Sequence, residues 1–102
     1  IGLEADGRIN LPNRRASELA GIDLDAAVGL PLAEVLPEFA PLLAAVRQGG
    51  AATPERDRSA EIRIGPASNR RTLLARIGVE QQGGEVTGFV LPFDDITELL
   101  SA

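Results

Sequence analysis

The chain has 102 residues, ten of them basic and fifteen acidic, for a formal charge of −5. That length supports one domain, its 44% hydrophobic and 25% charged residues describe a globular rather than a disordered chain, and the acidic balance argues against nucleic acid as a partner. Cys, His, Met, Trp and Tyr are all absent, which removes thiolate nucleophiles, Ser-His-Asp triads, the common zinc sites, the usual haem axial ligands and the cysteine that a flavin photoadduct requires.

No apolar run approaches the ~20 residues of a membrane span, and no signal-peptide pattern opens the chain. The missing Met is what a fragment cut from a longer protein would show. No cofactor and no direct membrane contact are expected. All the basic residues are Arg and Ala is the commonest residue, which fits the coding bias of a GC-rich genome.

Ile1, Leu3 and Ala5 alternate with small or polar residues, as do Ile9 and Leu11, and Asp6-Gly7 between them is a two-residue hairpin signal. An antiparallel pair over 1–5 and 8–12 is predicted. Asn13 sits where an N-cap belongs, Ala16, Leu19 and Ala20 give the following helix an apolar stripe, and Gly21 ends it. Asp23 caps a turn through 24–28, and Pro31 opens a short helical piece over 32–36. Phe39, Leu42, Leu43 and Val46 fall at helical spacing and predict an amphipathic helix to about Gln48, with Pro41 tolerated in its first turn. Residues 50–59 have no period and read as an exposed loop. Ile62 and Ile64 mark a third strand, and Leu73, Ala75, Ile77 and Val79 a fourth. A tight turn follows at 82–85. The last strand, 86–93, places Phe89, Leu91 and Phe93 on one face and Val86, Val90 and Pro92 on the other. Five strands interrupted by a helical block make an α+β domain.

Several residues carry this pattern further. Asp6-Gly7-Arg8-Ile9 leading to Asn13, the helix ending at Ala20-Gly21, and Phe93-Asp94-Asp95-Ile96-Thr97-Glu98 together resemble a PAS domain over nearly the whole chain. The stretch 85–100 is similar to the cytoplasmic PAS domain of nitrogen-regulation sensor histidine kinases of the NtrY type. The resemblance implies a PAS fold, a five-stranded antiparallel sheet in order 2-1-5-4-3 with short helices packed on one face. It further implies a sensory or dimerising module without catalysis, in the cytoplasmic part of a bacterial inner-membrane protein. Its partners would be a second copy, downstream dimerisation and kinase helices, and a response regulator reached through the parent kinase. Pro92 departs from the pattern, since it stands in what the family makes a central strand.

Asp95 and Glu98 are spaced for a reciprocal capping box that starts a helix at Leu99 and Leu100. With Thr97 they form a candidate coupling element between the sheet and an output helix truncated here, against the plainer reading of a cap that ends a domain. Asp94 and Asp95 point to opposite faces of a strand and cannot share a substrate proton. Phe39, Leu43, Val46, Leu73, Ala75, Ile77, Phe89, Leu91 and Phe93 would line a ligand pocket between sheet and helices in a small-molecule receptor. The competing reading is a filled core, favoured because no polar group converges on that face. Arg70-Arg71 with Arg14-Arg15 could form an anion patch, but surface arginines are more often solvated charge. An enzyme-associated regulator is a third reading, differing only in the output.

Overall fold

The computed structural model describes residues 1–101. Its first hairpin pairs β1 (Gly2–Glu4) with β2 (Ile9–Leu11). The turn is longer than the two residues expected. Glu4 N–H donates to the Arg8 carbonyl at 2.8 Å, Gly7 N–H donates to the Glu4 carbonyl at 2.9 Å, and Gly7 adopts φ 88°. Three residues therefore close the loop, with the glycine in the left-handed position that such loops require. Asn13 caps α1 (Arg14–Ala20), its Oδ1 accepting from Ala16 N–H at 3.0 Å, and Gly21 ends the helix in the left-handed region.

A single turn over Asp25–Ala27 follows, then α2 (Leu32–Val35), a turn over Pro37–Phe39, and α3 (Ala40–Gly49). The predicted apolar stripe of Phe39, Leu42, Leu43 and Val46 is buried throughout. The loop expected over 50–59 contains two short helical turns, Gly50–Ala52 and Glu55–Asp57, and buries Thr53, whose hydroxyl donates to the Gly50 carbonyl at 2.7 Å.

The final third comprises β3 (Ser59–Ile64), β4 (Arg71–Arg76), β5 (Gly78–Gln82), β6 (Glu85–Val90), β7 (Phe93–Asp95) and the short α4 (Thr97–Leu100). The protein is α+β, as expected, but its strands form two antiparallel sheets rather than one of five strands. The orders are β2-β1-β6-β5 and β3-β4-β7. Pro92 supplies the physical reason. Arg76 N–H donates to the Pro92 carbonyl at 3.0 Å, but proline has no N–H to return to Arg76. Ile77 and Leu91 form the next, non-hydrogen-bonded pair, whose amides face the outer neighbours as in any antiparallel ladder, Ile77 to the Arg58 carbonyl and Leu91 to the Ile1 carbonyl, each at 2.8 Å. The register does not slip across the gap. Ala75 faces Phe93 and Gly78 faces Val90, three residues further along both strands.

A second irregularity corrects the phase of β6. Glu80 faces Gly88 but Gln81 faces Val86, so Thr87 is an extra residue on one side, a β-bulge. The bulge turns Val86 toward the core instead of leaving it on the outer face with Val90. Close strand approach also fixes Gly88, where a Cβ would collide with the Leu3 carbonyl.

The core lies between the inner sheet faces and the helices. It gathers Leu3, Ile9, Leu24, Leu32, Phe39, Val46, Ile64, Leu73, Ala75, Phe89 and Leu91, among others. Phe93 packs at its margin and is only half-buried, contrary to the expectation that it would share the depth of Phe89 and Leu91.

Candidate functional site

Where the sheet ends, β7 stays paired to β4 as far as Asp95, opposite Leu73. Residues opposite one another in an antiparallel pair share a face, so Asp95 looks inward beyond the apolar row of Ala75 and Phe93, while Asp94 is exposed on the other face. A carboxylate in that position must find partners, and it finds them on three elements. Thr97 Oγ1 donates to its Oδ1 at 2.6 Å and Thr97 N–H donates to the same oxygen at 3.0 Å. Arg71 Nε, on β4, donates to Oδ2 at 2.9 Å, and Arg15 of α1 approaches that oxygen at 3.6 Å.

The Thr97 hydroxyl has a single hydrogen, and Asp95 takes it. Its lone pair then accepts from Thr72 N–H at 2.8 Å. That amide belongs to the ladder, where the neighbouring bond runs from Ile96 N–H to the Thr72 carbonyl at 2.9 Å. A side-chain hydroxyl thus completes a backbone ladder as the chain leaves the sheet. The Asp95 side chain is 11% exposed. The Thr97 hydroxyl chiefly, then the Thr97 amide and the Arg71 guanidinium, hold its carboxyl at about 2, below the ordinary 3.8, against the upward push of partial burial. The Asp95 hydrogen bond in turn raises Arg71 above its ordinary value.

This geometry replaces the reciprocal cap expected from the sequence. The helix starts at Thr97, so Glu98 is its second residue and does not stand where a capping-box acid reaches back. Its exposed carboxylate lies 3.4 Å from Arg71 Nη2 instead. Asp95, Thr97 and Glu98 do come together, joined by Arg71, whose sequence neighbourhood suggests only solvated charge. The signal for Arg71 was present. It lies two residues before inward-facing Leu73, and Asp95 pairs with Leu73, so strand alternation puts the opposite charges side by side at one end of the sheet. Arg70 is exposed, and Arg15 joins the cluster from α1.

The chain is similar to a stretch of the nitrogen regulation protein NtrY of Azorhizobium caulinodans. The two are 35% identical over 102 residues, which is all of this chain and 13% of that protein. No family model matches the chain.

Of the nine residues singled out as a possible ligand pocket, Phe39, Leu43, Val46, Leu73, Ala75, Ile77, Phe89 and Leu91 are buried against one another and Phe93 is half-buried at the edge. None of them lines the open depression of about 600 Å³ between α3 and the 52–60 segment. Ile77 and Phe93 border smaller clefts at the sheet break, of about 300 and 180 Å³. Among the described residues no cluster of acidic side chains is arranged to hold a metal, and no helix is long and apolar enough to cross a membrane.

Proposed function

We propose that this chain is a PAS-type signal-relay module of an NtrY-type nitrogen-regulation sensor histidine kinase. It passes a conformational change through Asp95, Thr97 and Glu98 to a helix that continues α4. Three findings support the reading. The chain shares 35% identity along its whole length with part of NtrY. The two ladders on either side of Pro92 keep one register, so that β4 with β5 and β6 with β7 act as two interrupted strands. The order then becomes the 2-1-5-4-3 expected of a PAS sheet. Last, the residues facing the helices pack as a core, which favours a relay over a receptor with an apolar ligand.

The observation that carries the coupling role is the Asp95–Thr97–Thr72 chain of hydrogen bonds. It ties the first helical residue to the Thr72 amide of β4, beside the ladder bond from Ile96 N–H to the Thr72 carbonyl, so the direction in which α4 leaves depends on the sheet. The module itself performs no chemistry. The parent protein would supply the kinase activity, the membrane anchor, and the response regulator as partner, with the module in the cytoplasm and dimeric alongside the kinase helices.

The test uses the full-length kinase. Asp95→Asn should alter control of autophosphorylation far more than its mild destabilisation accounts for, because the Thr97 anchor is weakened while the fold persists. A variant with that mild destabilisation and wild-type regulation would leave Asp95 as a structural element only.

A further inference from the structure

β3 lies at the edge of its sheet, bonded to β4 on one side only. The bonding phase says which of its backbone groups remain. Ile77 N–H donates to the Arg58 carbonyl, and in the same register residues 60, 62 and 64 exchange bonds with β4. Antiparallel pairs alternate, so the amides and carbonyls of Ser59, Glu61 and Arg63 point away from the sheet. No hydrogen bond among the described residues uses them. The side chains of Glu61 and Arg63 are exposed on the outer face, and neither has an ion-pair partner among the described residues. Ile62 and Ile64 are buried, so the strand is held in place from within.

An edge of this kind invites another strand, and charge usually discourages it. Here the two charges have opposite signs, and their order makes the edge self-complementary. We propose that β3 is a self-association edge, on which a second copy of this chain pairs antiparallel about a two-fold axis through Ile62. Three in-phase registers centre on the charged part of the strand. An axis at Glu61 sets Glu61 against its copy, and an axis at Arg63 sets Arg63 against its copy. Only the axis at Ile62 sets each Glu61 against the partner's Arg63, twice by symmetry. It also lets Glu61 and Arg63 of both copies exchange all four of their free backbone bonds. The paired segment is short, because Gly65, at φ 92°, turns the chain away after Ile64. The two three-stranded sheets would become one of six strands. The inference does not depend on the relay reading, since it rests on the phase and charge of β3 alone.

Sedimentation equilibrium on the 102-residue chain tests it, over a concentration series reaching the millimolar range. A reversible monomer–dimer equilibrium is expected. Glu61→Arg or Arg63→Glu turns both cross-strand pairs repulsive and should raise the dissociation constant about ten-fold or more. Both sites are exposed, so both variants should keep the wild-type circular dichroism spectrum. Mixing the two single variants restores opposite charges at both pairs, and should give a heterodimer at least as tight as the wild-type dimer. A chain that stays monomeric throughout would overturn the proposal. So would a dimer indifferent to the reversals, or a mixture no tighter than its components.

Discussion

Replacing Asp95 by Asn keeps the size of the side chain and removes its charge. The structure sets the magnitude. Lowering the carboxyl from 3.8 to about 2 corresponds to roughly 2.5 kcal/mol of preference for the ionised folded state. The cluster opens to water through the exposed Glu98 and Arg15 side chains, and screening reduces this to about 1–2 kcal/mol. The amide retains an oxygen for the Thr97 donors but loses the charge that Arg71 and Arg15 face. Because the folded value lies below the unfolded one, the stabilisation is complete above about pH 5, falls to about half near pH 3 and disappears as the pH drops through 2. Urea melts of wild type and Asp95→Asn at pH 7 and pH 3 measure it. The gap should be about 1–2 kcal/mol at pH 7 and clearly smaller at pH 3. A gap below about 0.5 kcal/mol at pH 7, or one equal at both pH values, would refute the electrostatic account of this site.

Phe39→Ala should cost about 3–5 kcal/mol in denaturant melts, since Phe39 is 1% exposed in the centre of the core. Phe93→Ala, at the half-buried margin, should cost well under half as much, and equal losses would mean that the core extends through Phe93. Gly88→Ala should destabilise by about 1–3 kcal/mol, because the added methyl meets the Leu3 carbonyl and must push β1 from β6. Amide exchange of Leu3 and Glu4 in that variant reports whether this pair opens. Haem titration should give no one-to-one Soret shift, as no His, Cys, Met or Tyr side chain exists to ligate iron. A sharp stoichiometric shift would contradict it.

Local signals were readable where one residue type has one physical use. Asn13 caps, Gly21 ends a helix, and the Phe39-to-Val46 spacing marks a buried stripe, and each does so in the structure. Strand phase was readable only between irregularities, and the first, an extra residue at Asn10, already sends Leu11 to the surface although it alternates with buried Ile9. Nothing in Glu85–Phe89 announces that Thr87 is extra, since a bulge depends on how the partner strand pairs, so alternation alone puts Val86 on the wrong face. Pro92 announces a disturbance but not its extent, which is the single bond missing at the Arg76 carbonyl beside a pair that bonds outward anyway. The Asp95 site was half legible. Its acid and hydroxyl stand close in sequence, whereas Arg71 and Thr72 come from a strand more than twenty residues earlier, and only pairing brings them there.

The gap at Pro92 also has a mechanical meaning. A continuous ladder resists twisting along its whole length, because every shear between neighbours strains bonds in both directions. Where proline leaves a carbonyl unanswered, torsional stiffness drops along a single line. That line separates the strands β2, β1, β6 and β5, which carry the beginning of the chain, from β3, β4 and β7, which carry α4. On the relay proposed above, the second group, with the Arg71 and Thr97 anchors inside it, would tilt about this line relative to the first. A change in the exit angle of α4 then requires a crease to flex, not a sheet to deform.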